Sequence, residues 1–337
     1  MHSLTTIRAA TVASYIFAAG ALLYILHFGL VGALFSGLLV FSLVHILAPI
    51  LERRINDRTA KLVAVAALSA LVIGVLALLG WGAYAFFQSD AGNIQSLMQR
   101  LADVIESSRK QLPAWLLSRM PENADALREM LTTWLREHAT EAKIIGEKTG
   151  RAFAHILIGM IIGAMAALHE SAVPTSTAPL AAALTERLAR LNDAFTRIVF
   201  AQVRIAGINA LLTGVYLLVI LPLMGIHLPL VKTMILVTFV CGLLPVVGNL
   251  VSNTILVVVG LSHSLDVAVG SLVFLVVIHK LEYFLNARII GSHIEARAWE
   301  LLVAMLALET AYGLPGVVAA PVLYAYAKFE LLKYRLV

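Results

Sequence analysis

Two carboxylates, Glu282 and Glu309, stand inside long apolar runs. An ionisable side chain within a membrane span is costly, so each is by default a candidate for handling an ion or a proton. His279 precedes Glu282 by three positions and Asn286 follows it by four, so on a helix all three share one face. A carboxylate beside an imidazole can bind a cation or relay a proton. The competing reading puts this cluster at the membrane interface, with Lys280 and Tyr283 snorkelling and Glu282 paired locally. Glu309, followed by Thr310, lies deeper in its run and would need a buried partner if it were purely structural. Asn249 and Asn253 are four residues apart, on one helical face, where amides can hydrogen-bond a polyol-like solute or bridge two helices. Enzyme spacings are missing: there is no Gly-x-Ser-x-Gly, no His-Glu-x-x-His, no phosphate-binding loop and no paired Cys motif. An enzyme is therefore not expected, nor a cofactor or bound metal. Without a nucleotide-binding element, any transport would be secondary or passive, with sodium or a proton as the coupling ion.

The elements that must position these residues are two interrupted apolar stretches. Val231–Leu261 is about thirty residues long, more than the roughly 20 that one span needs, and is broken by the run Cys241–Asn249. Pro245 lacks a backbone donor and clashes with the preceding turn, while Gly242 and Gly248 permit backbone angles a helix does not use. Trp299–Ala327 repeats the design around Gly313, Leu314, Pro315 and Gly316. A pair of segments interrupted in this way points to a transporter's solute site, because half-helix ends aim partial charges at the solute. Each stretch is either one kinked span or a re-entrant hairpin. The loop Asn286–Trp299 carries Arg288 and Arg297, and the positive-inside rule places it in the cytoplasm only if Val231–Leu261 is a hairpin. Hairpins are favoured on that ground, with solute expected between the two breaks and one half moving against the rest.

Composition sets the solvent. The chain of 337 residues is 60% hydrophobic and 13% charged, with a mean hydropathy of +0.90. Soluble domains carry about 25% charged residues, so this is an integral membrane protein whose first partner is the lipid bilayer. The net charge of +5 reads as loop topology and not as nucleic-acid binding. The single cysteine, Cys241, excludes an internal disulfide. The expected class is an all-α polytopic protein with about eight membrane segments, two of them broken helices or re-entrant hairpins.

Four regions are expected in order. Residues 1–87 hold three spans, Ala9–Phe28, Gly29–Leu51 and Leu62–Phe87, and the basic loop Glu52–Lys61 places the N-terminus in the cytoplasm. Residues 88–150 form an extracytoplasmic helical region with two apolar stripes, one through Ile94, Leu97, Leu101 and Ile105, the other through Leu127, Met130, Leu131, Trp134 and Leu135. Residues 151–200 hold a fourth span, Arg151–Leu168, and an interfacial amphipathic helix running from Leu184 to Val199 with Arg187, Arg190 and Arg197. Residues 201–337 form the transport core, with Lys328, Lys333 and Arg335 keeping the C-terminus cytoplasmic.

From about Gln202 onward the residues resemble the AI-2E transporter family, also called the autoinducer-2 exporter or PerM-like permease family. The matching elements are Leu244-Pro-Val-Val-Gly248, then Glu282, then Arg288-Ile-Ile-Gly291, and finally Tyr312-Gly-Leu-Pro-Gly-Val-Val-Ala-Ala-Pro321. The family usually has a proline before its Arg-x-x-Gly arginine, where this chain has Ala287; Arg297-Ala298 replaces a frequent His-Pro pair, and Asn249 follows Gly248 where a less polar residue is common. The resemblance implies a multi-pass protein of the bacterial inner membrane, assembled as a homo-oligomer, pentamers among the known forms. It implies export of a small polar solute such as autoinducer-2, or exchange of sodium or lithium, a monovalent cation, for protons. The candidate site is then Pro245, Gly248, Asn249, Asn253, Glu282, Asn286, Glu309, Thr310, Gly313, Pro315 and Gly316, with Arg288, Gly291 and Pro321 as motif residues. A rival of another class is a membrane scaffold that engages a partner through residues 90–150.

Overall fold

The computed structural model describes residues 4–52, 59–70, 124–170, 178–243, 247–261, 263–294 and 297–333, together with Val72, Gly74 and Trp81. Among these residues the chain is helical, with no strand. The helices are α1 (Leu4–His27), α2 (Val31–Glu52), α3 (Thr59–Ala70), α4 (Ala124–Glu137), α5 (Ala139–Glu170), α6 (Pro179–Val215), α7 (Val231–Gly242), α8 (Val247–Leu261), α9 (Leu265–Ile294), α10 (Ala298–Tyr312) and α11 (Leu314–Lys333). Among the described residues, four stretches are long and apolar enough to cross a membrane: Thr6–His27, Val31–Ile50, Gly146–His169 and Pro179–Leu223. The apolar stripe of 94–105, the basic loop residues 53–58 and most of the expected third span lie outside the described residues.

The chain divides into two compact units, one made of Met1–Ile73, Glu147–Ala201 and Ala287–Val337, the other of Gly74–Gly146 and Gln202–Asn286. In the first unit, α1 and α2 are joined by the tight turn expected there. Gly29 sits at φ +66° and Leu30 N–H donates to the Ile25 carbonyl at 2.8 Å. Small residues then let α2 and α5 touch backbone to backbone. A Cβ on Gly159 would stand 2.0 Å from the Ala33 carbonyl oxygen, and one on Gly163 would stand 2.1 Å from that of Gly37. Close approach of this kind is how helices associate where lipid supplies no hydrophobic drive. Ser36 Oγ secures the crossing by donating to the Ile156 carbonyl at 2.9 Å. The unit's main core joins Leu38, Leu191, Phe195, Ile198, Val322 and Tyr326 from α2, α6 and α11.

Two expectations are corrected here. The interfacial helix is not a separate element: α6 runs unbroken from Pro179 to Val215, its apolar positions Leu191, Phe195 and Ile198 enter the core, and Arg187 is buried. Nothing in the sequence between Leu184 and Ile205 ends a helix, so propagation continues. The loop expected at Asn286–Trp299 is helical as far as Ile294, within α9. Ala287 is a strong helix former where a proline would have stopped the turn.

In the second unit, α6 passes into a π-helical turn, Tyr216–Ile220, in which Leu221 N–H donates to the Tyr216 carbonyl. Pro222 lies just beyond; it cannot donate and its ring crowds the carbonyl one turn earlier, and the wider turn accommodates it. Tyr216 stacks on Phe274 of α9 with ring centroids 4.1 Å apart, and the core continues through Leu217, Leu221, Met234, Leu256, Val267 and Leu275. The chain enters α7 through Leu230 at φ +59°, directly after Pro229.

Candidate functional site

Each broken stretch folds back on itself. In the second unit α7 packs against α8. A Cβ on Gly248 would stand 1.6 Å from the Cys241 carbonyl oxygen, so the last turn of α7 and the first of α8 meet at a point that only glycine fits. Gly248 is buried there. A helix end leaves its last carbonyls without partners. Gln202, on α6, supplies one: its Nε2 donates to the Gly242 carbonyl at 2.8 Å, and Ala206 one turn on abuts Gly242. Protein thus satisfies irregular backbone inside an apolar stretch, as membrane depth requires. Pro245 lies outside the described residues, and so does the side chain of Asn249, although its backbone belongs to α8.

Beyond the break, Asn253 is half-buried on α8 and lines a cleft of about 490 Å³ against α9. Thr254 and Lys280 are its other polar walls; Val257, Val258, Leu272, Leu275 and Val276 complete it. Glu282, Asn286, Arg288 and Gly291 follow along α9, their side chains outside the described residues, as is that of His279.

In the first unit α10 and α11 form an antiparallel hairpin around Gly313, whose φ of +63° is open to glycine and strained for other residues. A Cβ on Gly316 would stand 2.0 Å from the Leu308 carbonyl oxygen. At the open end, Lys328 Nζ donates to Glu300 Oε2 at 2.8 Å, and the Tyr324 hydroxyl donates to the same oxygen. Pro315 occupies the first turn of α11, where its missing N–H is harmless, while Pro321 is buried inside the helix. Glu309 and Thr310 are exposed on α10, and Thr310 Oγ1 donates back to the Leu306 carbonyl at 2.8 Å.

The family model described as AI-2E family transporter matches residues 12–335. The chain belongs to the AI-2E transporter family. It is accordingly a multi-pass membrane protein of transporter class, and that family is one of transporters and not of enzymes. A comparison with curated proteins finds no match.

Two polar groupings in this AI-2E transporter go beyond the sequence reading, which named Arg187 and Arg190 only as charges on an interfacial helix and Lys333 only as a cytoplasmic anchor. Along α6 in the second unit, Asn209 and Thr213 are buried, and the Tyr216 hydroxyl lies 3.2 Å from Ser271 Oγ on α9. In the first unit Arg187, 3% exposed, donates to Glu330 Oε2, which also accepts from the Tyr15 hydroxyl at 2.9 Å and Arg190 at 3.2 Å. Glu186 pairs with Arg187, Arg190 and Lys333. The four-residue spacings Asn209–Thr213 and Glu186–Arg190 were available as a signal. The pairing of positions 187 and 330 was not, because only the tertiary fold joins them.

Proposed function

We propose that this AI-2E transporter exports a small, neutral polar solute of the autoinducer-2 kind by alternating access, with the α7–α8 break and the cleft holding Asn253 as its binding region. The observation that carries the reading is the backbone contact of Gly248 with Cys241, together with the Gln202 bond to the freed Gly242 carbonyl. A chain that builds irregular backbone into an apolar stretch and satisfies it with protein groups follows the plan of solute sites in secondary transporters. α7 has 12 residues and α8 has 15, about 18 and 22 Å of helix at 1.5 Å per residue, each short of the roughly 30 Å hydrocarbon core. Half-spans of that length enter and leave on one side, so we take the α7–α8 hairpin as re-entrant. The basic residues Arg8, Lys61, Lys328 and Lys333 favour cytoplasmic termini in an inner membrane. A homo-oligomeric assembly completes the proposal.

Purified protein in liposomes tests it. Labelled autoinducer-2 should accumulate in wild-type vesicles and fall with Asn253→Leu in protein that still elutes as a folded species. Folded wild type that carries none of it refutes the solute assignment. A second reading, sodium or lithium exchange for protons, is favoured by the exposed Glu309 carboxylate in the last turn of α10, directly after the apolar run Leu301–Leu308. An imposed sodium gradient read with a pH dye separates the two. Proton movement lost in Glu309→Gln or Glu282→Gln would establish the exchanger and displace the exporter.

A further inference from the structure

We infer that the polar face of α6 in the second unit is a wetted solute path, with Asn209 as the residue that contacts a neutral, hydrogen-bond-donating solute; this rests on the transporter reading above and adds a surface that reading does not use. Gln202, Asn209, Thr213 and Tyr216 are separated by seven, four and three residues, so they lie in one line along the helix. From first to last the line rises through 14 residue steps, about 21 Å at 1.5 Å each, some two thirds of a bilayer's hydrocarbon core. It faces protein and not lipid: Asn209 is 4% exposed and Thr213 3%, while Leu211 on the opposite side is 67% exposed.

The members of the line differ in how they are satisfied. Gln202 gives its amide to the Gly242 carbonyl and Tyr216 meets Ser271, as structural polar groups do. Asn209 does not: its Oδ1 is buried with no hydrogen-bond partner among the described residues. A buried amide oxygen without a partner is rare, and such sites ordinarily hold water or a ligand. The neighbours fix the chemistry. All four side chains are amides or hydroxyls and none carries charge, so an ion entering here would lose its hydration against no counter-charge. A solute that offers hydroxyl donors to Asn209 Oδ1 is matched to the face, and Thr213, one turn on, supplies a hydroxyl able both to donate and to accept.

The single native cysteine makes a direct test possible. In a Cys241→Ser background, Asn209→Cys and Thr213→Cys are reconstituted as full-length protein and treated with a membrane-impermeant methanethiosulfonate. Leu211→Cys and Leu218→Cys serve as lipid-facing controls and His227→Cys as the exposed loop control. We expect both stripe positions to react at least about tenfold faster than the lipid-facing pair, because only a hydrated thiol ionises to the reactive thiolate. Modification of Thr213→Cys should be slowed by excess unlabelled autoinducer-2. Thr213→Cys is nearly isosteric, which guards against misfolding at Asn209. Failure of both stripe positions to react, with His227→Cys labelled, overturns the path. If labelled autoinducer-2 still moves in that case, the stripe falls and the transporter reading stands. If the stripe reacts and excess autoinducer-2 gives no protection, the path is upheld as wet and that solute is overturned as its occupant.

Discussion

Gly248→Ala is the sharpest test of the α7–α8 hairpin. The new methyl carbon would sit 1.6 Å from the Cys241 carbonyl oxygen and 2.3 Å from its carbon. Close carbon–oxygen contacts run to about 3.3 Å, so α7 and α8 must separate by roughly 1.7 Å at their tip. The obstacle is backbone at a helix end and not a flexible side chain, so nothing local can give way. Overpacking typically costs about 1–3 kcal/mol, and a rigid backbone clash belongs at or above the top of that range. At about 2–4 °C per kcal/mol, the midpoint should fall by roughly 6–12 °C. Gly207→Ala is the internal control, since a Cβ there meets nothing within 4 Å and the substitution should be neutral or slightly stabilising. The assay is thermal unfolding in detergent, read by maleimide labelling of the half-buried Cys241, which lies at the clash and should react sooner in Gly248→Ala. A midpoint for Gly248→Ala equal to that of Gly207→Ala, with Cys241 no more reactive, would refute the close contact and the hairpin built on it.

Other substitutions probe the rest of the fold. Glu330→Ala should cost about 2–3 kcal/mol by removing the buried partner of Arg187, which keeps only the exposed Glu186 and the Tyr15 hydroxyl, and the double variant with Arg187→Met should recover part of it, both measured as thermal midpoints. Full stability of the single variant would mean the pair is hydrated. Gly163→Leu should abolish the α2–α5 crossing and with it folded yield, judged by size-exclusion chromatography, because a Cβ alone would be 2.1 Å from the Gly37 carbonyl oxygen. Leu230→Gly should raise the thermal midpoint or leave it unchanged, relieving about 1 kcal/mol of left-handed strain that offsets the extra chain entropy of glycine. A drop of several degrees would show that the Leu230 side chain contributes more than its backbone costs.

How much of this was legible in the sequence depends on whether the signal was local. The turn after His27 was legible because glycine and two abutting apolar runs mark it. The breaks at Gly248 and Gly313 were legible because glycine and proline are backbone statements in themselves. The same rule failed where punctuation was missing: the run Leu184–Val199 has an amphipathic stripe and three arginines, which suggests a surface helix, yet no residue after it ends the helix. Burial then depended on partners far along the chain. Arg187 is tolerable inside because Glu330 and Tyr15 meet it, and neither can be inferred from the residues around position 187.

The candidate site divides the same way. Asn253 was singled out because two amides four apart in an apolar run are conspicuous, and its side chain lies on the wall of the cleft between α8 and α9. Asn209 and Thr213 have the same spacing in the preceding span and were passed over, since no break stood near them in sequence. The fold changes that weighting. Ala206, on the same helix one turn before Asn209, is what Gly242 packs against, so the polar face of α6 begins at the break itself. The glycine that lets α7 end close to α6 also brings Gln202 within hydrogen-bond reach of the Gly242 carbonyl. Forty residues of chain separate the break from Gln202, the polar residue that satisfies it, and a helix contact made possible by glycine at position 242 joins them.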